Sequence, residues 1–298
     1  MRVLALLALL VSSAVAAQPA WRVTPAGPAV SVDALLALGD DQTISGPDGV
    51  LLSSAVGVTS LAVTVTARVP VGAGVTVVTD LPVAYMRYAV PNVPSLGVQS
   101  RSEDDVVFGN PYVGAEAGAG RGLTLGAGVR LPLSRFDRSG EFQDPAQFGH
   151  YGGFTADRER FEAYFPEVLT VSALARYEPV AGPVRLRLQL APAYLADVSG
   201  DDPFGDPDFG KTGLALGYGA QAEVGAGPVA LSGGVMGRPV LTGQRFELFS
   251  SDATAVVAAV ATLGPVRPGV IVRVPLDRDR FAFRSDATVG VSLDVPLR

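Results

Sequence analysis

Residues 121–133 read Arg-Gly-Leu-Thr-Leu-Gly-Ala-Gly-Val-Arg-Leu-Pro-Leu, and their alternation is the strongest structural signal in the chain. Apolar side chains occupy the odd positions from 123 to 133, whereas Thr, Gly, Gly and Arg occupy the even positions from 124 to 130. Strict alternation of this length predicts a β-strand with one apolar and one polar face. Ordinary strands have about five or six residues. A tilted strand that crosses a bilayer needs about 9–11, so the stretch favours a membrane strand.

The same period-two pattern recurs along the chain, most clearly at 183–195 and 213–225. It predicts twelve strands, at about residues 49–57, 60–69, 75–87, 106–118, 121–133, 167–177, 183–195, 213–225, 228–238, 253–264, 266–276 and 286–297. Residues 49–69 also fit a single irregular strand.

The connections between these segments alternate in length. Short turns are expected at 70–74, 119–120, 178–182, 226–227 and 265, and long polar loops at 88–105, 134–166, 196–212, 239–252 and 277–285. Outer-membrane barrels have tight periplasmic turns and longer loops on the cell surface. The sequence therefore predicts an all-β fold, a single up-and-down antiparallel transmembrane β-barrel of about 12 strands with short periplasmic turns and long outer loops. A soluble β-sandwich is the alternative, but it would leave large apolar faces exposed.

The N-terminal residues are typical of an export signal. Met1-Arg2 precedes an apolar run at 3–11 and the small residues Ala14-Val-Ala-Ala17. The apolar run is too short to span a bilayer, so residues 1–17 are expected to be a cleaved signal peptide. Residues 18–47 are rich in Pro, Gly and Ala and are expected to form a periplasmic N-terminal leader, followed by the barrel at 48–298. The expected location is the outer membrane of a Gram-negative cell.

The composition excludes several kinds of enzyme site. Because there is no Cys, disulfides, thiolate metal sites and Cys nucleophiles are excluded. The single histidine, His150, would have to serve alone, which argues against a His metal cage or a Ser-His-Asp triad. Charged residues make up 17% of the chain and the basic ones are scattered, so no nucleic-acid partner is expected. We predict no enzyme activity, no cofactor and no metal site.

An acidic loop leaves one metal question open. Residues 197–208 hold five carboxylates. Oxygen ligands at this density suit Ca²⁺, but their spacing does not match a calcium-binding loop. A solvated acidic loop is the favoured interpretation.

Aromatic residues cluster near the long-loop ends of the predicted strands. Only Tyr177 lies clearly at a short-turn end. Aromatic side chains at the membrane–water boundary form the girdle of such barrels, so an outer girdle is expected. Its members would be Tyr85, Tyr88, Phe108, Tyr112, Tyr164, Phe165, Tyr194, Phe246, Phe249, Phe281 and Phe283.

Charged residues on the predicted strands occupy the polar phase of the alternation. Because a lipid-facing Arg at mid-membrane costs about 2–4 kcal/mol, these residues are expected to line the lumen. They are Arg68, Glu116, Arg130, Arg176, Arg185, Arg187, Glu223 and Arg273. All except Arg130 and Arg273 lie near short-turn ends and are expected to form one belt at the periplasmic mouth. Two interpretations remain open: an ion-pair lattice that stiffens the lumen, or a weakly cationic constriction that favours anionic or polar solutes.

Two segments carry a resemblance to a known family. They are Phe108-Gly-Asn-Pro-Tyr-Val-Gly114, which opens a strand, and Leu123-Thr-Leu-Gly-Ala-Gly-Val129 in the next strand. In these segments the chain resembles bacterial outer-membrane transporter barrels of the phenol meta-pathway type, from aromatic-degradation clusters. The resemblance covers about 25 residues and implies an outer-membrane transporter. The chain ends at Arg298, without the terminal Phe that resembles an assembly signal in many such barrels.

Two classes of function remain. One is a passive channel or facilitator for small molecules, hydrophobic or anionic. The other is a non-transporting structural or surface-interaction barrel whose loops bind a partner. The inward positions Gly126, Gly128, Gly217 and Gly219 leave space in the lumen and favour transport. The expected partners are outer-membrane lipid, a small-molecule solute and the barrel-assembly machinery.

Overall fold

The structure, a computed structural model, describes residues 28–38, 44–45, 51–52, 57–90, 101–135, 148–199, 211–243, 246, 251–276 and 285–297. The expected signal peptide at 1–17 and most of the acidic loop at 197–208 lie outside these residues. No helix among the described residues is long and apolar enough to cross a membrane.

Twelve antiparallel strands form a closed barrel, as the sequence predicted. Each strand pairs with the next in sequence, and the last pairs with the first. The strands are β1 Ala29–Leu38, β2 Gly57–Gly72, β3 Val75–Val90, β4 Tyr112–Gly120, β5 Leu123–Arg130, β6 Val168–Tyr177, β7 Val184–Asp197, β8 Thr212–Ala226, β9 Val229–Arg238, β10 Ser251–Ala261, β11 Arg267–Pro275 and β12 Ala287–Pro296. The short turns, the start of β1 and the end of β12 all lie at the same end of the barrel, here called the inner end. The long loops lie at the outer end.

The first barrel strand lies inside the segment that the sequence indicated as a periplasmic leader. β1 pairs with β12 from Ala29↔Pro296 to Leu38↔Ala287 and with β2 on its other edge. The strands predicted at 49–57 and 60–69 are not a pair, because Gly57–Gly72 is one strand. The barrel wall therefore begins at residue 29 rather than 48. The pattern was hidden because Leu35 is apolar but lies on the buried face of β1.

Short additional strands extend this wall. Arg101–Phe108 pairs with the outer part of β3, and a Gly-Asn-Pro break at 109–111 separates it from β4. Val240–Thr242 and Val180–Ala181 add to β8 and β7, respectively. Ile44–Ser45 and Leu51–Leu52 pair with each other in a separate two-stranded sheet.

The outer face of the wall is apolar. Leu81, Leu190, Val257, Val270 and Val291 lie on five different strands, and each is more than half exposed. The side chains between them point to the opposite, buried face. An apolar outer band of this kind is what a barrel presents to lipid.

Candidate functional site: the barrel interior

The long loop between β5 and β6 folds into the barrel. Its described part contains α1 Phe148–Ala156 and a 3-10 helix Arg158–Ala163. We call residues 148–165 the plug. The sequence indicated 134–166 as a surface loop, but most side chains of the plug are buried. Its glycines allow a close approach to the wall, because a Cβ on Gly152 would lie 2.6 Å from the carbonyl oxygen of Tyr85.

An aromatic cluster joins the plug to the connection between β9 and β10. The ring centroids of Phe154 and Phe165 are 5.7 Å apart, and those of Phe165 and Phe246 are 5.0 Å apart. Tyr164, Phe165 and Phe246 are at most 1% exposed, so the prediction that they belong to an outer girdle is wrong. Tyr112, also expected in the girdle, is buried as well. Loop position alone did not distinguish a rim aromatic from a ring that packs inside.

Two ion-pair groups tie the plug to the wall. Arg273 on β11 lies 2.9 Å from Asp157 and 2.7 Å from Glu159. Arg238 on β9 lies 2.9 Å from Glu162. Burial alone would raise the pKa of Asp157, but the guanidinium groups of Arg160 and Arg273 outweigh this effect and hold that pKa below its usual range. Asp157 therefore stays ionised inside the barrel.

Asn110, in the break before β4, holds the other side of the plug. Its backbone N–H donates to the carbonyl of Ala163, and its side-chain amide donates to the carbonyl of Phe165, both at 2.6 Å. Its side-chain oxygen accepts from the backbone N–H of Ser134 at 2.8 Å. The side chain of Asn110 is fully buried. One residue therefore satisfies backbone groups at both ends of the loop that carries the plug.

Tyr112 lies against the wall of β4 and β5. A Cβ on Gly128 would overlap its hydroxyl group, and a Cβ on Gly114 would overlap its ring. Arg130 lies 5.5 Å above the ring centroid and donates to Asp80 at 2.8 Å. The space that the sequence suggested at Gly128 is thus occupied by Tyr112.

Gly217 is similarly close to a large side chain. A Cβ there would lie 2.7 Å from Nη1 of Arg238. Gly219 also lies on the buried face, and Gly126 is half-buried. The small residues of this wall therefore make room for side chains of neighbouring strands as well as for the plug.

A row of alternating charges crosses the inner half of the barrel. Glu116 accepts hydrogen bonds from Arg68 and, at 2.9 Å, from Arg176. Glu178 lies 3.9 Å from Arg176 and 2.6 Å from Arg187. We call these five residues the inner row. Its three arginines and Glu116 are at most 5% exposed.

The eight charged residues predicted from the sequence separate into three places. Arg68, Glu116, Arg176 and Arg187 meet in the inner row. Arg185 and Glu223 form a pair at 3.7 Å beside it, where the Arg185 side chain is 46% exposed. Arg130 and Arg273 bind other partners in the outer half.

Sequence reasoning missed most of the acidic partners. Asp33, Asp80 and Asp294 are buried, and Asp294 accepts a hydrogen bond from Ser31 at 2.8 Å. All three lie on barrel strands in the inward phase, so the alternation itself could have found them. Asp157, Glu159, Glu162 and Glu178 lie in loops or turns, where no periodic signal exists.

His150 has a structural contact. It is 1% exposed, and its Nδ1 lies 2.8 Å from the carbonyl oxygen of Tyr164. Burial lowers its pKa, although that hydrogen bond opposes the shift. The hydroxyl of Ser134 is 3.5 Å from the same nitrogen, which already faces a carbonyl acceptor. Among the described residues, no cluster of three or more His, Cys, Asp or Glu side chains is arranged to hold a metal ion.

Comparison with solved structures agrees with this architecture. An outer membrane channel from Pseudomonas putida F1 aligns with a TM-score of 0.54 at 12% identity, covering 94% of this chain and 99% of that one. A toluene transporter of P. putida aligns with a TM-score of 0.50 at 8% identity, covering 92% and 91%. At these identities the likeness shows the fold alone. No protein-family model matches the sequence, and no curated protein matches it. The apolar exterior, the closed twelve-strand wall and these alignments together show an outer-membrane β-barrel.

Proposed function

We propose that the protein is a passive channel or facilitator that carries small molecules across the outer membrane. The observation that carries this proposal is the inner row, in which three arginines and two glutamates meet on the inward face of a membrane-spanning wall. Ionisable groups at membrane depth are costly, and they mark solute pathways by default. A wall with only a structural role would not need these ion pairs, because replacing a buried ion pair by packed apolar residues is often neutral or stabilises the fold by about 1–4 kcal/mol.

The charge balance of the inner half favours anionic or polar solutes. Arg185 and Glu223 add one charge of each sign to the inner row, so four arginines face three glutamates. Arg185 is the most exposed of these arginines and lies nearest the inner mouth. A net positive constriction raises the local concentration of anions.

A hydrophobic solute is the second class, and other features support it. The outer half contains the aromatic cluster of the plug, and aromatic side chains pack favourably against the apolar rings of a solute. One of the aligned structures is described as a toluene transporter. The two segments that resemble phenol meta-pathway barrels include the Gly-Asn-Pro break that anchors the plug. We infer from these features that small aromatic compounds are the hydrophobic candidates.

Bilayer recording with the purified protein tests the proposal and its preference for anions. Replacing Arg185 and Arg187 by Ala should raise conductance and lower anion preference, read from the reversal potential in a salt gradient, because two cations leave the constriction. Arg87→Ala with Lys211→Ala is the matched control, since both residues are exposed and lie toward the outer end of the barrel. Liposome swelling with benzoate and with neutral sugars gives a second measure. Unchanged selectivity in the Arg185 and Arg187 variant would contradict the assigned role.

A non-transporting barrel remains the second candidate, favoured by one observation. The plug occupies the outer half in this structure, and the three arginines and Glu116 of the inner row are at most 5% exposed. A barrel of this kind would act through its outer loops and would show no flux in either assay. In both cases membrane lipid surrounds the wall, and the barrel-assembly machinery would insert it.

A further inference from the structure

We propose that the plug is a gate, which must leave the outer half of the barrel before a solute can pass. The inference rests on the proposed channel function and adds its regulation. Three features of the interior support it: the packing of the plug in the outer half, the small inward residues of the wall and the contacts between plug and wall.

The plug itself fills the outer half. Phe154, Phe161 and Phe165 pack in one buried cluster with wall residues from most of the circumference of the barrel. Those wall residues include Leu35, Ala62, Ala84, Leu195, Ala215, Met236, Val256 and Ile271. They come from strands β1, β2, β3, β7, β8, β9, β10 and β11. Contacts with strands on most sides place the plug across most of the outer half of the barrel.

Several positions of the wall behind the plug have small side chains. Ala62, Ala84, Ala215 and Ala258 are buried against it, and Gly217 lies on the same inward face. An eight-strand barrel is filled by its own side chains, whereas a wider barrel needs a loop or water. Removal of the plug would therefore open the outer half rather than let the wall collapse inward.

The plug is held by its apolar cluster and by a set of polar contacts with the wall. Its backbone adds no strand to the barrel, and its polar contacts with the wall include those of Arg273, Arg238, Asn110 and Asp105. Ion pairs and hydrogen bonds to backbone groups can be exchanged for water when the plug moves outward. The wall keeps its complete hydrogen-bonded ring in that state. Release of the plug therefore requires no unfolding of the membrane-spanning part.

A reversible disulfide provides the decisive experiment. A Cβ on Gly149 would lie 3.1 Å from Cβ of Val107, close to the usual disulfide separation of about 3.5–4.5 Å. The chain has no cysteine, so Gly149→Cys with Val107→Cys would create a single designed bond between plug and wall. Leu36→Cys with Val289→Cys is the control, because these residues face each other on β1 and β12, away from the plug. Heat-modifiable gel migration verifies that each variant forms a barrel.

Release of the ion pairs gives the complementary measurement. Arg273→Gln should raise the open fraction at least about tenfold, because it leaves the carboxylates of Asp157 and Glu159 without this cation in the closed state. Glu159→Gln is a milder variant that retains Asp157. Arg267→Gln is the matched control, since it removes the same charge from the inner end of the same strand.

The outcomes separate the gate from the channel. Loss of current in the oxidised Gly149–Val107 variant, recovery on reduction and an unaffected control support the gate. Equal current in the oxidised and reduced forms would overturn the gate and leave the channel function intact. Absence of current and of solute flux in every form, including Arg273→Gln, would overturn the channel function and the gate with it.

Discussion

Replacing Glu116 by Gln tests whether charge holds the inner row together. The carboxylate of Glu116 accepts hydrogen bonds from both Arg68 and Arg176, and all three residues are at most 4% exposed. Gln has nearly the same shape but carries no charge. The variant therefore leaves two guanidinium groups side by side without the carboxylate that they share.

The expected loss follows from these contacts. Removing one partner of a buried ion pair costs about 3–5 kcal/mol, because the remaining charge is not compensated. The amide oxygen of Gln retains a hydrogen bond worth about 0.5–1.5 kcal/mol. The free energy of unfolding should therefore fall by about 2–4 kcal/mol.

Urea titration of the barrel folded into lipid vesicles measures this loss, with Glu223→Gln as the matched control. Glu223 lies 3.7 Å from Arg185, whose side chain is 46% exposed, so its removal should cost only about 0–1 kcal/mol. If the Glu116 variant lost no more stability than the Glu223 variant, the buried ion-pair chain would not stabilise the wall.

Three further predictions concern the plug and its surroundings. Asn110→Ala should lower the free energy of unfolding by about 1–3 kcal/mol in the same titration, because buried backbone groups of the plug lose their partners; an unchanged value would exclude the anchor. Gly128→Ala should destabilise the barrel by about 1–3 kcal/mol through overlap with Tyr112, and Tyr112→Ala in the same chain should relieve that strain. His150 has a lowered pKa in the folded state, so its neutral form is favoured there and stability should fall as pH drops below about 6.5. His150→Asn should remove the part of the loss that melting curves show between pH 7.5 and 5.5, and an equal loss in both proteins would contradict this.

The barrel wall was largely predictable because lipid imposes a period of two on it. Residues 123–130 and 184–195 alternate between a lipid-facing and an inward-facing side chain, and each became a strand in the predicted phase. The phase also placed Arg187 and Arg176 on the buried face. β1 was missed because its inward face is not polar throughout, so the period-two contrast is lost. The inward position of Leu35 packs against an apolar plug instead of a polar lumen, so the two faces of the strand look alike.

The plug could not be predicted from periodicity, because a segment inside a barrel has neither lipid on one side nor a partner strand on the other. Its Phe and Tyr residues have the composition of an aromatic rim, and Gly149, Gly152 and Gly153 have the composition of a flexible loop. The wall carried an indirect signal. Twelve strands enclose more space than Ala and Gly side chains can fill, so the small inward residues of β2, β3 and β8 required another occupant, water or chain. A loop with three closely spaced glycines and several aromatic residues can supply that occupant, since glycine permits close contact with the wall and aromatic rings fill the remaining volume. In a barrel of intermediate width, the polar phase of the strands therefore has to be considered together with the composition of the longest loop.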